Sequence, residues 1–186
     1  QALVWLTRGS RVIAVAGAHG KTTSTGMIAS ALIGLGADPS VVNGGVIESI
    51  ASNQHMGSDD EFIVEADESD GSFLFYDTAI ALITNVDNDH LDHYGSAEAF
   101  NEAFVHFATR AREAVVISGD DPLARELTTA ITHERIVTFG RGEHNDVRVT
   151  DIRGENGGTS FTLTNVHESA SGWIPVPGTH NAVNAA

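Results

Sequence analysis

The sequence predicts an α/β fold: a mostly parallel sheet flanked by helices, with a small antiparallel sheet appended near the C-terminus. Three observations carry this. Short apolar runs closed by glycine or polar residues recur through the first three quarters of the chain, as in strands buried on both faces. Between them lie segments whose apolar residues repeat at three- and four-residue steps, and strands alternating with helices imply a parallel sheet covered on both sides. After Gly140 the helical spacing stops, and polar and apolar residues alternate around glycine-rich turns.

Taken in order, "RVIAVA" (11–16) is an apolar run ending at Gly17 and predicts a buried strand. From Thr22 to about Leu35 the spacing of Met27, Ile28, Ala31, Leu32 and Leu35 predicts a helix, closed by Gly34 and Gly36. "PSVVNGG" supplies a short strand and a glycine turn, and "EFIVEA" (61–66) and "AIALITN" (79–85) two further buried strands. Ser96 is placed to cap a helix whose apolar face is Phe100, Ala103, Phe104, Phe107, Ala108 and Ala111. "AVVIS" (114–118) is another strand. Asp121 and Pro122 then take the N-cap and first positions of a short helix reaching about Ala130, which leads into the strand "RIVTF". "DVRVTDIRG", "GTSFTLTN" and "GWIPVP" are the antiparallel strands, and "HNAVNAA" opens a further helix.

The 186 residues suit one domain with a sizeable core. No stretch approaches the ~18 apolar residues of a membrane span, and "QALVWLTRGSR" lacks the basic and apolar regions of a signal peptide. With no cysteine, disulfides and thiolate metal sites are excluded and a cytoplasmic location is expected. The formal charge of −15 argues against nucleic acid as a partner. It also means that a polyphosphate ligand would need local attraction, from backbone N–H groups, a helix N-terminus, a divalent metal and Lys21, the sole lysine.

Four stretches carry chemistry. "GAHGKTT" between a strand and a helix places Gly17, Ala18, His19, Gly20, Lys21, Thr22 and Thr23 around one anion, making the sheet P-loop-type. Lysine can reach outer phosphates and a threonine hydroxyl can hold Mg²⁺. The usual first glycine is replaced by Val15, so a plain strand–helix turn is the competing reading. "FIVEADESDGSF" puts Glu65 at a strand's carboxyl end, with Asp67, Glu68 and Asp70 following, where ligands of parallel sheets bind. "LITNVDNDHLDHY" repeats the arrangement with Asp87, Asp89, His90, Asp92 and His93. In "PVPGTHNAVN", the amides of Asn181 and Asn184 beside His180 could read a purine edge or could cap the helix; the residues leave both open.

In order and spacing, "AGAHGKTTST", "EADESDGSFL", "TNVDNDHLDHYGS" and "VPGTHNAVNA" resemble the central ATP-binding domain of the Mur ligase family, over nearly the whole chain. The histidine in "AHGKTT" and the "EADESD" block resemble most the branch that joins L-alanine to UDP-N-acetylmuramate. A murein-peptide recycling ligase of the family shares similar blocks. The resemblance implies ATP and Mg²⁺ as cofactors and amide formation through an acyl phosphate. It gives Lys21 the β/γ-phosphates, Thr22 and Glu65 one metal with Glu68 in reserve, and His90 a second metal. Lys21, Glu65 and His90 thereby become the catalytic set, while His180, Asn181 and Asn184 contact adenine. It further implies that residues 1–186 are a central domain, with UDP-binding and amino-acid-binding domains outside it and no ligation by the fragment alone. The carbamylated lysine that several members use as a metal ligand has no counterpart beside Lys21. From another class, a P-loop switch ATPase or a metal phosphohydrolase using the Asp/His loops would account for parts of the pattern.

Overall fold

A computed structural model of the chain describes residues 2–87 and 91–186. Ten strands form one sheet: β1 (Arg11–Ala16), β2 (Ser40–Ile47), β3 (Ser52–His55), β4 (Glu61–Glu65), β5 (Thr78–Ile83), β6 (Ala114–Ser118), β7 (Ile136–Gly140), β8 (Val147–Glu155), β9 (Gly158–Thr164) and β10 (Ser169–Ile174). Their order across the sheet is β10-β9-β8-β7-β6-β5-β1-β4-β2-β3. The helices are α1 (Ala2–Leu6), α2 (Lys21–Gly34), α3 (Leu91–Tyr94), α4 (Ala97–Thr109), α5 (Pro122–Leu127) and α6 (Thr179–Asn184).

Strands β2, β4, β1, β5, β6 and β7 run parallel. The antiparallel trio β8–β10 joins them through a parallel contact of Phe139 with Val147 and Gly140 with Arg148, so the predicted appendage is continuous with the main sheet. From β1 the chain runs outward to β2, returns to β4 beside β1, then crosses to β1's other side as β5. That reversal opens a crevice at the carboxyl ends of β4, β1 and β5, the usual ligand position in such sheets.

Each face is covered because strand side chains alternate. Val12, Ala14, Phe62, Val64, Ala81, Ile83, Val115 and Ile117 point to the side where α4 and α5 supply Phe100, Phe104, Phe107, Ala124 and Leu127. Phe73 stacks obliquely on Phe104 and Phe107, with centroids 5.3 and 5.0 Å apart. On the other side Ile13, Val41 and Ile63 meet Ala29, Ile28 and Leu32 of α2. A third, small core of Val149, Phe161 and Ala182 seats α6 on the antiparallel strands.

The predicted caps are present: Ser96 Oγ accepts from Ala99 N, and Asp121 Oδ1 from Ala124 N. Three elements differ from expectation. The glycines after "SVVN" lie inside β2, because Gly44 passes so close to Glu65 that a Cβ would sit 2.7 Å from Oε2. Helix α5 stops at Leu127, where the hydroxyls of Thr128 and Thr129 donate to the carbonyls of Arg125 and Glu126. Strand β10 starts earlier than "GWIPVP", at Ser169, and ends at Ile174, since Pro175 and Pro177 have no N–H for the ladder. Helices α1 and α3 and the polar edge strand β3 carry no periodicity that would have announced them.

Candidate functional site

Strand β1 continues to Ala16, so the loop before α2 is only Gly17 to Gly20. Both glycines have positive φ, 128° and 85°. Gly20 is the left-handed residue that turns the chain into α2, and as the N-cap it brings no side chain to cap that helix. The first-turn N–H groups of α2 therefore carry the unpaired donors and positive dipole end that favour an anion. Lys21 is the first residue of α2. Its ammonium donates to Gly17 O at 2.6 Å and to Glu68 Oε1 at 3.0 Å. The lysine side chain is 15% exposed and that of Glu68 1%, so this is a nearly buried ion pair.

Thr22 Oγ1 donates to Glu65 Oε1 at 3.1 Å, while Glu65 Oε2 accepts from Gly44 N at 2.7 Å. Glu65 thus stands at the end of β4 beside the threonine. Glu68, the reserve choice, lies instead on the lysine. Tyr94 donates its hydroxyl to Glu68 O at 2.5 Å. Burial, with Glu68, Asp70 and Asp67 adding to it, pushes the Tyr94 phenol up to about 12, which keeps it a donor at neutral pH. Among the described residues no three His, Cys, Asp or Glu side chains gather around a common metal position. The Thr22–Glu65 oxygen pair nonetheless suits Mg²⁺, a hard ion that takes one or two protein oxygens and completes its shell with phosphate and water. His90 lies outside the described residues.

Helix α6 reaches the same place from the far end of the chain. A Cβ on Gly20 would lie 3.0 Å from Asn184 Oδ1, and Ser24 Oγ donates to Asn184 O at 3.4 Å. Asn181 Nδ2 donates to Pro177 O at 2.8 Å, and the exposed His180 packs its ring on Gly178. Of the three, Asn184 touches the loop. A cavity of about 750 Å³ runs beside α2, lined by Thr22, Thr23, Gly26, Leu82, Trp173 and Asn184.

Sequence reasoning passed over Thr84 and Asn85, which hold the loop from β5. Thr84 Oγ1 donates to His19 O at 2.7 Å, and Asn85 bonds both the N–H and the C=O of His19. The signal was available: both residues follow β5 directly, as Glu65 closes β4, and an uncharged pair drew no notice among carboxylates.

The family model described as the Mur ligase middle domain matches residues 15–186. A UDP-N-acetylmuramate–L-alanine ligase of Clavibacter sepedonicus is 61% identical over 186 residues, which are 100% of this chain and 39% of that protein. The corresponding ligase of Bradyrhizobium diazoefficiens is 42% identical over 192 residues, covering 98% of this chain and 41% of its own length. Among solved structures, a UDP-N-acetylmuramate-alanine ligase from Thermotoga maritima superposes with a TM-score of 0.82 at 25% identity, over 98% of this chain and 41% of that one. A MurF ligase from the same organism, solved in complex with ADP, shares the fold at a TM-score of 0.72 and 20% identity, over 98% and 46%. The chain is thus well under half the length of these curated relatives.

Proposed function

Since the chain belongs to the Mur ligase family as a middle domain, we propose that it is the ATP-binding part of a ligase joining L-alanine to the lactyl carboxylate of UDP-N-acetylmuramate. The γ-phosphoryl group of ATP passes to that carboxylate, and the amino group of L-alanine attacks the acyl phosphate, releasing phosphate after ADP has formed. Stretches of the protein beyond this chain hold the UDP moiety and the amino acid, so residues 1–186 alone bind nucleotide without ligating. The remoteness of nucleic acid from this chemistry agrees with a net charge of −15.

One observation supports the reading above the others: the single lysine opens α2 at the sheet's switch point with its ammonium on two exchangeable acceptors, Gly17 O and Glu68. Lys21 leaves these for the β/γ-phosphates, where charge accumulates as the phosphoryl group transfers. The N–H groups of Lys21 and Thr22 face the same anion from the helix end. Thr22 and Glu65 would hold one Mg²⁺, and the family resemblance gives His90 the second; bound metal would neutralise phosphate oxygens in a field the acidic chain otherwise makes repulsive. Asn184, packed on Gly20, would be the member of the adenine block nearest the phosphates, with Asn181 and His180 toward the N-terminal end of α6.

The test is made on the protein at its relatives' full length. ADP release should require UDP-N-acetylmuramate and L-alanine together. Release independent of both would favour a switch ATPase, and release that needs a murein peptide instead of L-alanine would favour the recycling ligase.

A further inference from the structure

We propose that Asn85 is a positioning residue that sets the phosphate loop before nucleotide arrives, an inference that rests on the nucleotide-binding reading above. Its amide is used at both ends on a single residue. Oδ1 accepts from His19 N at 2.8 Å and Nδ2 donates to His19 O at 2.7 Å. Thr84, 5% exposed, adds a hydroxyl donated to the same His19 carbonyl and stands 3.2 Å from Ala16 O. Beneath them Gly17 has no room for a side chain: a Cβ would lie 2.3 Å from Thr84 Oγ1 and 2.7 Å from Asn85 O. The segment is anchored on its other side too, because Val86 N donates to Asp121 Oδ1, the cap of α5. Residues 84–86 therefore brace the loop against the body of the sheet.

The brace answers a peculiarity of this loop. Val15, where a longer phosphate loop would begin with glycine, is fully buried in β1 and registered opposite Glu65 and Leu82. Only Gly17 to Gly20 remain to wrap the phosphates, so the neighbouring strand supplies the hold that the missing turn would give. One consequence is specific. The His19 N–H points to Asn85, not to the ligand, and anion contacts fall to the N–H groups nearer Lys21. Fixing a loop in its bound shape raises affinity by removing the entropy of ordering it.

Titrating MgADP into the chain by calorimetry tests this. Asn85→Ala should weaken MgADP about tenfold, the effect of losing two hydrogen bonds from a preorganised site. Its unfolding midpoint without ligand should fall by no more than about 6 °C, the cost of two half-exposed hydrogen bonds in a chain of this size. Thr84→Val, which removes one bond to the same carbonyl, should weaken binding about threefold. Asn145→Ala serves as the control: its amide bonds Asp120 and Gly142 O elsewhere, so it should lower the midpoint and leave affinity unchanged. Wild-type affinity in Asn85→Ala would overturn the inference, as would losses that follow the unfolding midpoint across all three variants. A wild-type chain that takes up no MgADP would overturn the nucleotide reading itself.

Discussion

The carboxyl edge of the sheet presents two acidic tips, one after β4 and β5 and one after β6 and β7, and they use their polar groups differently. At the second tip Asp120 accepts from the main-chain N–H groups of Arg141 and Gly142 and from Asn145 Nδ2, at 2.6, 2.9 and 2.9 Å. Asp121 caps α5, Asp146 bonds both the N–H and the hydroxyl of Thr138, and His144 bonds Gly119 O. Those partners are mostly backbone, which cannot turn away. At the first tip Asp67 and Asp70 likewise hold backbone N–H groups and Glu65 takes one from Gly44, but Lys21 meets Glu68 and Thr22 meets Glu65 through side chains that can rotate. Carboxylates committed to backbone tie loops together, whereas side chains paired with one another can exchange their partner for a ligand. That distinction, more than acidity, separates the candidate site from a structural knot on the same edge.

The largest effect that sharpens the comparison is expected from Lys21→Ala. MgADP binding should fall at least about a hundredfold with the loss of a charge-assisted phosphate contact. Stability should fall by about 3–5 kcal/mol as well, because the buried Glu68 carboxylate would lose its cation. Lys21→Met with Glu68→Gln should recover much of the stability and none of the binding. Denaturant unfolding beside calorimetric titration separates the two effects.

Asp120→Ala should do the reverse: a loss of about 1–2 kcal/mol, kept modest by the exposure of this carboxylate, with MgADP affinity intact. Burial alone would push the Asp120 carboxyl up, but the N–H donors of Arg141 and Gly142 and the Asn145 amide outweigh it and hold the group below the ordinary aspartate range. A carboxyl lowered in the folded state contributes stability above its unfolded value and loses it as pH falls through the folded one. Unfolding midpoints followed from neutral pH downward should show that acid loss in wild type and a smaller one in Asp120→Asn.

Gly44→Ala is expected to act on metal alone. The added methyl would displace Glu65 Oε2, and the Mg²⁺ needed for half-maximal nucleotide binding should rise about tenfold. Smaller still are the changes on α6. Asn184→Ala, next to Gly20, should weaken MgADP about fivefold, and His180→Ala, exposed at the far end, less than about twofold. Equal losses at the two positions would break the ordering drawn from the contact of Asn184 with Gly20 and the exposure of His180.

Much of this was legible in the sequence because the signals were local. Apolar runs and three-to-four spacing mark β1, β4, β5, β6, α2 and α4, and Ser96 and Asp121 announce their helices directly. Lys21, Thr22 and Glu65 could be nominated because phosphate and metal chemistry restricts the residue types suited to strand ends, and the structure brings Thr22 onto Glu65 and Lys21 beside them. What stayed hidden depends on contacts distant in sequence. The Lys21–Glu68 pair spans 47 residues, the Asn85–His19 brace 66 and the approach of Asn184 to Ser24 160. No spacing rule could assign Glu68 to the lysine rather than to a metal, since both readings need a carboxylate in the same few residues. Likewise β2 runs through its glycines for a reason visible only once Glu65 lies beside Gly44.

The central claim is that nucleotide displaces Glu68 from Lys21 at the loop between β1 and α2. A crystal structure of the chain with MgADP or a non-hydrolysable ATP analogue tests it most directly. The account predicts outer phosphate oxygens within hydrogen-bond reach of Lys21 Nζ and the first-turn N–H groups of α2, with Lys21 moved away from Glu68 and Asn85 still on His19. A nucleotide bound elsewhere, or bound while the Lys21–Glu68 pair stays closed, would contradict it.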